Sequence, residues 1–203
     1  MTLRFVLTLG AFFSCLAGAS AGTSVTFGPV DMQSSGTPAQ IFVRDNGARA
    51  ESDERGSVHI AGLRGPVNED DPNSEVYGGE GARLLFTVEK WRAASGTADI
   101  AADGGGDRIT LSLHRLIAFG HYSVFIRTTG NDGVRFAPID GSGLGNDFDA
   151  KQDGAANIVV SAPDHLPSGC SIVIIYHSDD QDHGNFPGMF ARTAHQQLIA
   201  RIP

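Results

Sequence analysis

A succession of short apolar runs, each closed off by turn-forming residues, sets the limits on what this chain folds into. The runs are "SVTFGPV", "IFVR", "SVHIAGL", "RLLFTVEKW", "ITLSLHRL", "HYSVFIRTT", "NIVVSA", "SIVIIYHS" and "QLIARIP". They are rich in Val, Ile, Phe and Thr and bounded by Gly, Pro, Asn or Asp, the composition of strands between turns. In "RITLSLHRL", Ile109, Leu111 and Leu113 alternate with Thr110, Ser112 and His114, so one face is apolar and the other polar, as in a half-buried strand. The segments "ADGGGDR", "GNDGV" and "AKQDGAA" sit between strand candidates and supply glycine where a turn needs positive φ. The stretch "EGARLLFTVEKWRAA" competes as a helix, but Leu84, Phe86 and Val88 alternate with Arg83, Thr87 and Glu89, so it is read as a strand with Leu85 out of pattern. The expectation is an all-β chain, an antiparallel β-sandwich of roughly eight to ten strands.

The chain from Gly22 to Pro203 suits one domain, with no internal repeat. Residues 45–82 are its most polar and Gly-rich part and are expected to form long, poorly ordered loops around one edge strand in "SVHIAGL". The opening "MTLRFVLTLGAFFSCLAGASAG" has an early Arg4, a short apolar core and small residues ending in Ala19-Ser20-Ala21. This is the order of a signal peptide over residues 1–21, cleaved after Ala21, and it implies a secreted or periplasmic protein. A lipid-bearing Cys15 is the competing reading, disfavoured by the bulky Phe12 and Phe13 before it. No later run approaches the length of a membrane-spanning helix. The chain carries 15 basic and 23 acidic residues, net −8, and lacks the clustered Lys and Arg that track phosphates, so nucleic acid is not an expected partner. Cys170 is the only cysteine after the leader, which precludes an intramolecular disulfide and fits a small buried apolar residue.

Chemistry concentrates in "YHSDDQDHGNFPGMFARTAH", residues 176 to 195. If "SIVIIY" and "QQLIARI" are consecutive antiparallel strands, the ends of their connection, His177 and His195, meet at one end of the sheet, with His183 in the long loop between them. A strand "HYSVFIRTT" antiparallel to "SIVIIY" brings His121 to the same end. Neutral imidazoles beside Asp179, Asp180 and Asp182 suit copper(II) or zinc(II), so His177, His183, His195 and His121 are the candidate metal ligands. The bland alternative is a polar turn capped by its own Asp and Ser side chains. A blue-copper set using Cys170, His177, His183 and Met189 fails on reach, because an extended strand separates Cys170 from His177 by roughly 23 Å.

Other constellations read as local structure. Asp140, Asp147, Asp149 and Asp153 offer oxygens for calcium, yet no closing Glu follows and "DFDAKQDG" looks like a strand entering a turn. "DGGGDRITL" looks like a single calcium-coil repeat, and such repeats must recur. His59 and His114 lie on exposed-looking strand faces and His165 in a turn. No nucleophile elbow, phosphate loop or dinucleotide fingerprint is present, so no catalytic residue is assigned.

Residues 109–202, with "LHRLIAFGHYSVFI", "NDFDAKQDGAANIVV", "IIYHSDDQDHG" and the closing "HQQLIARIP", resemble uncharacterised exported bacterial β-sandwich proteins. That resemblance implies a fold and a compartment and no activity. A looser similarity to cupredoxins and copper-zinc superoxide dismutases lies in fold type and clustered histidines; the H-x-H strand of the dismutases is not found here, and no catalytic role follows. The resulting expectation is a non-enzymatic exported binding protein with copper or zinc in its His-rich end loop. The alternative is a structural or adhesive envelope module without metal, and Lys-poor sheet edges leave room for self-association.

Overall fold

The computed structural model describes residues 22–30, 39–52 and 58–203; residues 1–21, expected as a signal peptide, and Cys15 among them lie outside these. In chain order the strands are β1 (Thr23–Pro29), β2 (Val43–Arg44), β3 (Glu51–Ser52), β4 (Val58–His59), β5 (Leu63–Arg64), β6 (Glu75–Tyr77), β7 (Arg83–Thr87), β8 (Ser95–Asp103), β9 (Gly106–His114), β10 (His121–Gly130), β11 (Gly133–Pro138), β12 (Asp147–Asp149), β13 (Ala156–Ala162), β14 (Ser171–His177) and β15 (Ala194–Arg201). Among the described residues one helix, α1 (Val88–Arg92), interrupts them between β7 and β8.

Nine strands form the main sheet in the order β11-β10-β14-β15-β1-β8-β9-β13, with β12 also paired to β10. Each neighbouring pair is antiparallel. β1 joins the two halves: Thr23 to Phe27 pair with β8, whereas Gly28 and Pro29 pair with β15. Side chains of both halves then share one core, in which Ile109, Leu111 and Leu113 of β9 meet Tyr122 and Val124 of β10, Ile172 and Ile174 of β14, and Leu198 of β15. The chain is thus all-β and antiparallel, as its alternation predicts, and the main sheet is a curled path continuous through β1. Full burial of each such aliphatic side chain contributes ~1.5–3 kcal/mol. Cys170 is buried in this core.

Two segments depart from the sequence reading. The strand expected through Trp91 stops at Thr87, whose Oγ1 accepts a hydrogen bond from the Lys90 N–H at 3.3 Å and caps α1. Leu85 breaks the alternation with a φ of 60° and an exposed side chain. From there Val88 and Trp91, three residues apart, bury one helical face against Ile41, Val43, Val76 and Leu84. Residues 45–82, expected as long loops around one edge strand, carry β3 to β6: β3 pairs with β4, while β5 and β6 pair with the flanking β2 and β7. Ion pairing orders this region: Arg64 donates to Asp45 at 3.0 Å and to both oxygens of Asp70 at 2.8 and 2.6 Å. The Arg64 guanidinium draws the Asp70 carboxyl down to about 2. No helix among the described residues is long and apolar enough to cross a membrane.

Candidate metal centre

Register decides which of the predicted residues meet. β10 and β14 pair with His121 directly opposite His177, and β14 pairs with β15 so that Tyr176 faces His195 and His177 faces Ala194. Cross-strand partners point to the same side of a sheet and successive residues to opposite sides. His121 and His177 therefore share one face, and His195 projects from the other with Tyr176. At that end of the sheet His121 and His177 lie side by side on one face, and the loop brings His183 beside His177. His195 is placed across the sheet.

The face bearing His121 and His177 is the outer one. Further down it, Phe125, Val173, Ile175 and Ala194 form a small apolar cluster with Phe136, Phe190 and Ile199. The loop after β14 folds back over this cluster. It is tied at its neck by the Ser178 N–H to the Thr193 carbonyl at 2.9 Å, and within itself by the Phe186 N–H to the His183 carbonyl at 3.2 Å. Two glycines are needed for its course. Gly188 has a φ of 80°, and a Cβ there would stand 3.3 Å from the His183 ring and 3.1 Å from Ala194. Gly143, in the segment between β11 and β12, has a φ of 71° and packs so closely on the loop that a Cβ would lie 2.6 Å from the Asn185 nitrogen. The loop is thus pressed between a second loop and the sheet, which places His183 with its ring centroid 5.0 Å from that of His177.

One ligand atom each from His177, Asp179 and His183 lie within 4.8 Å of one another. His183 Nε2 stands 3.1 Å from Asp179 Oδ2. Two ligands ~2.1 Å from one zinc lie ~3.4 Å apart at the tetrahedral angle. The His183–Asp179 pair already has that spacing, and separations of up to 4.8 Å would close by ~1.4 Å or less around such an ion. His177 is buried, its Nε2 2.6 Å from Ser123 Oγ. With the ring proton on Nε2, donated to Ser123, the lone pair sits on Nδ1, which is buried without a hydrogen-bond partner. His121 repeats the pattern: Nδ1 is 2.8 Å from Asp149 Oδ1, and Nε2 is buried without a partner. The two rings are 5.7 Å apart between centroids. A carboxylate or hydroxyl on one ring nitrogen orients the other nitrogen for a cation, the usual outer arrangement around a metal-bound histidine. Burial, with the nearby His183 and His121 imidazoles, pushes His177 down to about 4, so at neutral pH its imidazole is uncharged.

His195 has a different environment. It is fully buried, with its ring centroid 6.0 Å from that of Tyr176 and 6.4 Å from that of Trp91. Its Nδ1–H donates to the Gln40 carbonyl at 2.6 Å, and Nε2 lies 3.1 Å from Ser178 Oγ. Both nitrogens are engaged, and burial pushes the ring down to about 4. Its place is structural, linking β15 to the chain at Gln40.

Three of the four acidic residues weighed for calcium, Asp140, Asp149 and Asp153, have local partners. Asp140 accepts backbone N–H bonds from Gly143 at 2.8 Å and Gly145 at 3.1 Å, Asp153 accepts from Ala155 at 2.9 Å, and Asp149 holds His121. Cys170 stands just before β14 and His177 at its far end, so no site draws on both. His165 binds Asp107, which also caps the Leu166 N–H. Sequence reasoning missed Asp149 and Ser123 as the partners that orient the two rings. Their signal was the i, i+2 spacing of His121 and Ser123 and the alternation of "DFD", legible once β12 is known to pair with β10. No family model, curated protein or solved structure significantly matches this chain.

Proposed function

We propose that the protein binds a single zinc(II) or copper(II) ion through His177, Asp179 and His183, with His121 as the fourth donor. The observation that carries this reading is the pair of facing imidazoles, His121 and His177, each with one nitrogen hydrogen-bonded outward and the other buried without a partner. An unmet buried acceptor costs ~1–3 kcal/mol; a cation beside Asp179 and His183 would satisfy that of His177, and His121, its ring centroid 5.7 Å from that of His177, would complete the set. Imidazole and carboxylate donors without a thiolate suit zinc(II) and copper(II). The leader "MTLRFVLTLGAFFSCLAGASAG" supports export to the periplasm or beyond as part of the same proposal. Calorimetric titration of the chelator-stripped protein near neutral pH tests it: one ion per chain is expected, with binding lost in His177→Ala and in His183→Ala. Binding should weaken as pH falls, because the ligands must be deprotonated. A titration with neither metal bound would leave the structural envelope module as the reading.

A further inference from the structure

We infer that β13 is a self-pairing edge through which a second copy of this chain continues the main sheet. β13 ends the nine-stranded path, and among the described residues it pairs with β9 alone. Its register runs unbroken from Ala156 opposite Leu113 to Ala162 opposite Asp107. Along these seven residues its other side therefore presents backbone N–H and C=O groups that pair with no strand among the described residues, although β12 comes near it. Its sequence, "ANIVVSA", contains no charge, proline or glycine, the devices that normally blunt an exposed edge. β11, at the opposite end of the path, has them: it carries Arg135, ion-paired to Asp132 at 3.0 Å, and ends in Pro138.

The strand is a palindrome in chemical character, and this identifies the occupant. Antiparallel pairing about a two-fold axis at Val159 sets Ala156 opposite Ala162, Asn157 opposite Ser161, Ile158 opposite Val160, and Val159 opposite its own copy. On the outer face, where Asn157, Val159 and Ser161 are exposed, polar pairs flank a Val pair whose members are 49% exposed in the single chain. On the inner face every pair is apolar. An isologous interface demands this self-complementarity. Pro163, which has no N–H, follows directly and limits the pairing to these seven residues. Arg108 on β9 lies across from Ser161. The two-fold carries the two Arg108 residues ~19 Å apart by strand rise and spacing, well beyond the screening length.

Sedimentation velocity of the full chain in chelator, between ~1 and ~300 µM, tests the inference independently of any metal. A monomer–dimer equilibrium is expected, and Val159→Lys, which opposes two ammonium groups across the axis, should weaken it at least ~10-fold. Register is read by oxidative cross-linking. Val159→Cys sets two Cβ atoms ~4.5–5.5 Å apart and should form a disulfide dimer. Asn157→Cys sets its two copies ~13 Å apart along the strands and should not. The native chain, which carries Cys15 as well as the buried Cys170, is the background. A chain monomeric throughout that range overturns the inference, as does a dimer that ignores Val159→Lys or cross-links equally through Asn157→Cys.

Discussion

Lowering the pH from 7.5 to 5 in chelator should cost the fold a measurable amount of stability through His195 alone. An unfolded histidine titrates near ~6.5, whereas burial holds His195 at about 4 in the folded chain. The unfolded state therefore takes up the proton first. The stabilisation is fully present above ~6.5 and is lost as pH falls through the window down to about 4. The loss is about 2 kcal/mol at pH 5 and about 3 kcal/mol once pH is below both values, set against a total stability of ~5–15 kcal/mol for a typical domain. The assay is urea unfolding at pH 7.5, 6.5, 5.5 and 5.0 for the native protein and for His195→Gln, whose amide retains a donor and an acceptor. Subtracting one pH profile from the other removes the contribution of His177, which both proteins share. The variant should lose about 2 kcal/mol less than the native protein over this range. Should His195→Gln fold poorly, an NMR titration of the His195 ring reads the same quantity directly. Identical profiles, or a ring that titrates near ~6.5, would refute the argument.

Three further outcomes follow from particular contacts. Gly143→Ala places a Cβ 2.6 Å from the Asn185 nitrogen at a φ of 71°, so ~1–3 kcal/mol of strain falls on the loop that carries His183. Metal affinity in calorimetry should drop, with the near-UV circular dichroism of Trp91 unchanged. Trp91→Ala empties the centre of the cluster formed by Ile41, Val43, Val76, Leu84 and Val88 and should cost ~3–5 kcal/mol in denaturant unfolding. Arg64→Ala removes the forked pair with Asp70 and the bond to Asp45, but the Arg64 side chain is 34% exposed; the expected loss is ~1 kcal/mol or less, read as a small drop in melting temperature.

The fold was legible wherever a strand had one wet face. β9 kept the alternation of Ile109, Leu111 and Leu113 against Thr110 and Ser112 that the sequence predicts. β14 was legible for another reason: "SIVIIY" is buried on both faces, in the main core through Ile172 and Ile174 and in the outer cluster through Val173 and Ile175, and such a run shows as uninterrupted β-branched residues. The helix at Val88 was not legible as one. Its signal is a single threonine cap and two apolar residues three apart, and the preceding Leu84 and Phe86 continue a strand pattern into it. Around residues 45–82, β2, β4, β5 and β7 begin in the runs "IFVR", "SVHIAGL" and "RLLFTVEKW", whereas β3 and β6 escaped; ion pairs such as Arg64–Asp70 order this part of the chain, and charge pairing leaves no periodicity for a pattern to detect.

The proposed metal site shows where a sequence argument about strand ends reaches its limit. Antiparallel pairing of β10, β14 and β15 correctly predicts that His121, His177 and His195 gather at one end of the sheet. Whether they share a site depends on a parity that only the register supplies. His177 is opposite Ala194, so its neighbour Tyr176 takes His195, and the two histidines lie on opposite faces. The parity thus divides the labour within one strand end. The inward residue holds the core through Tyr176 and His195, and the outward residue, His177, retains an unshared electron pair under a loop that carries Asp179 and His183.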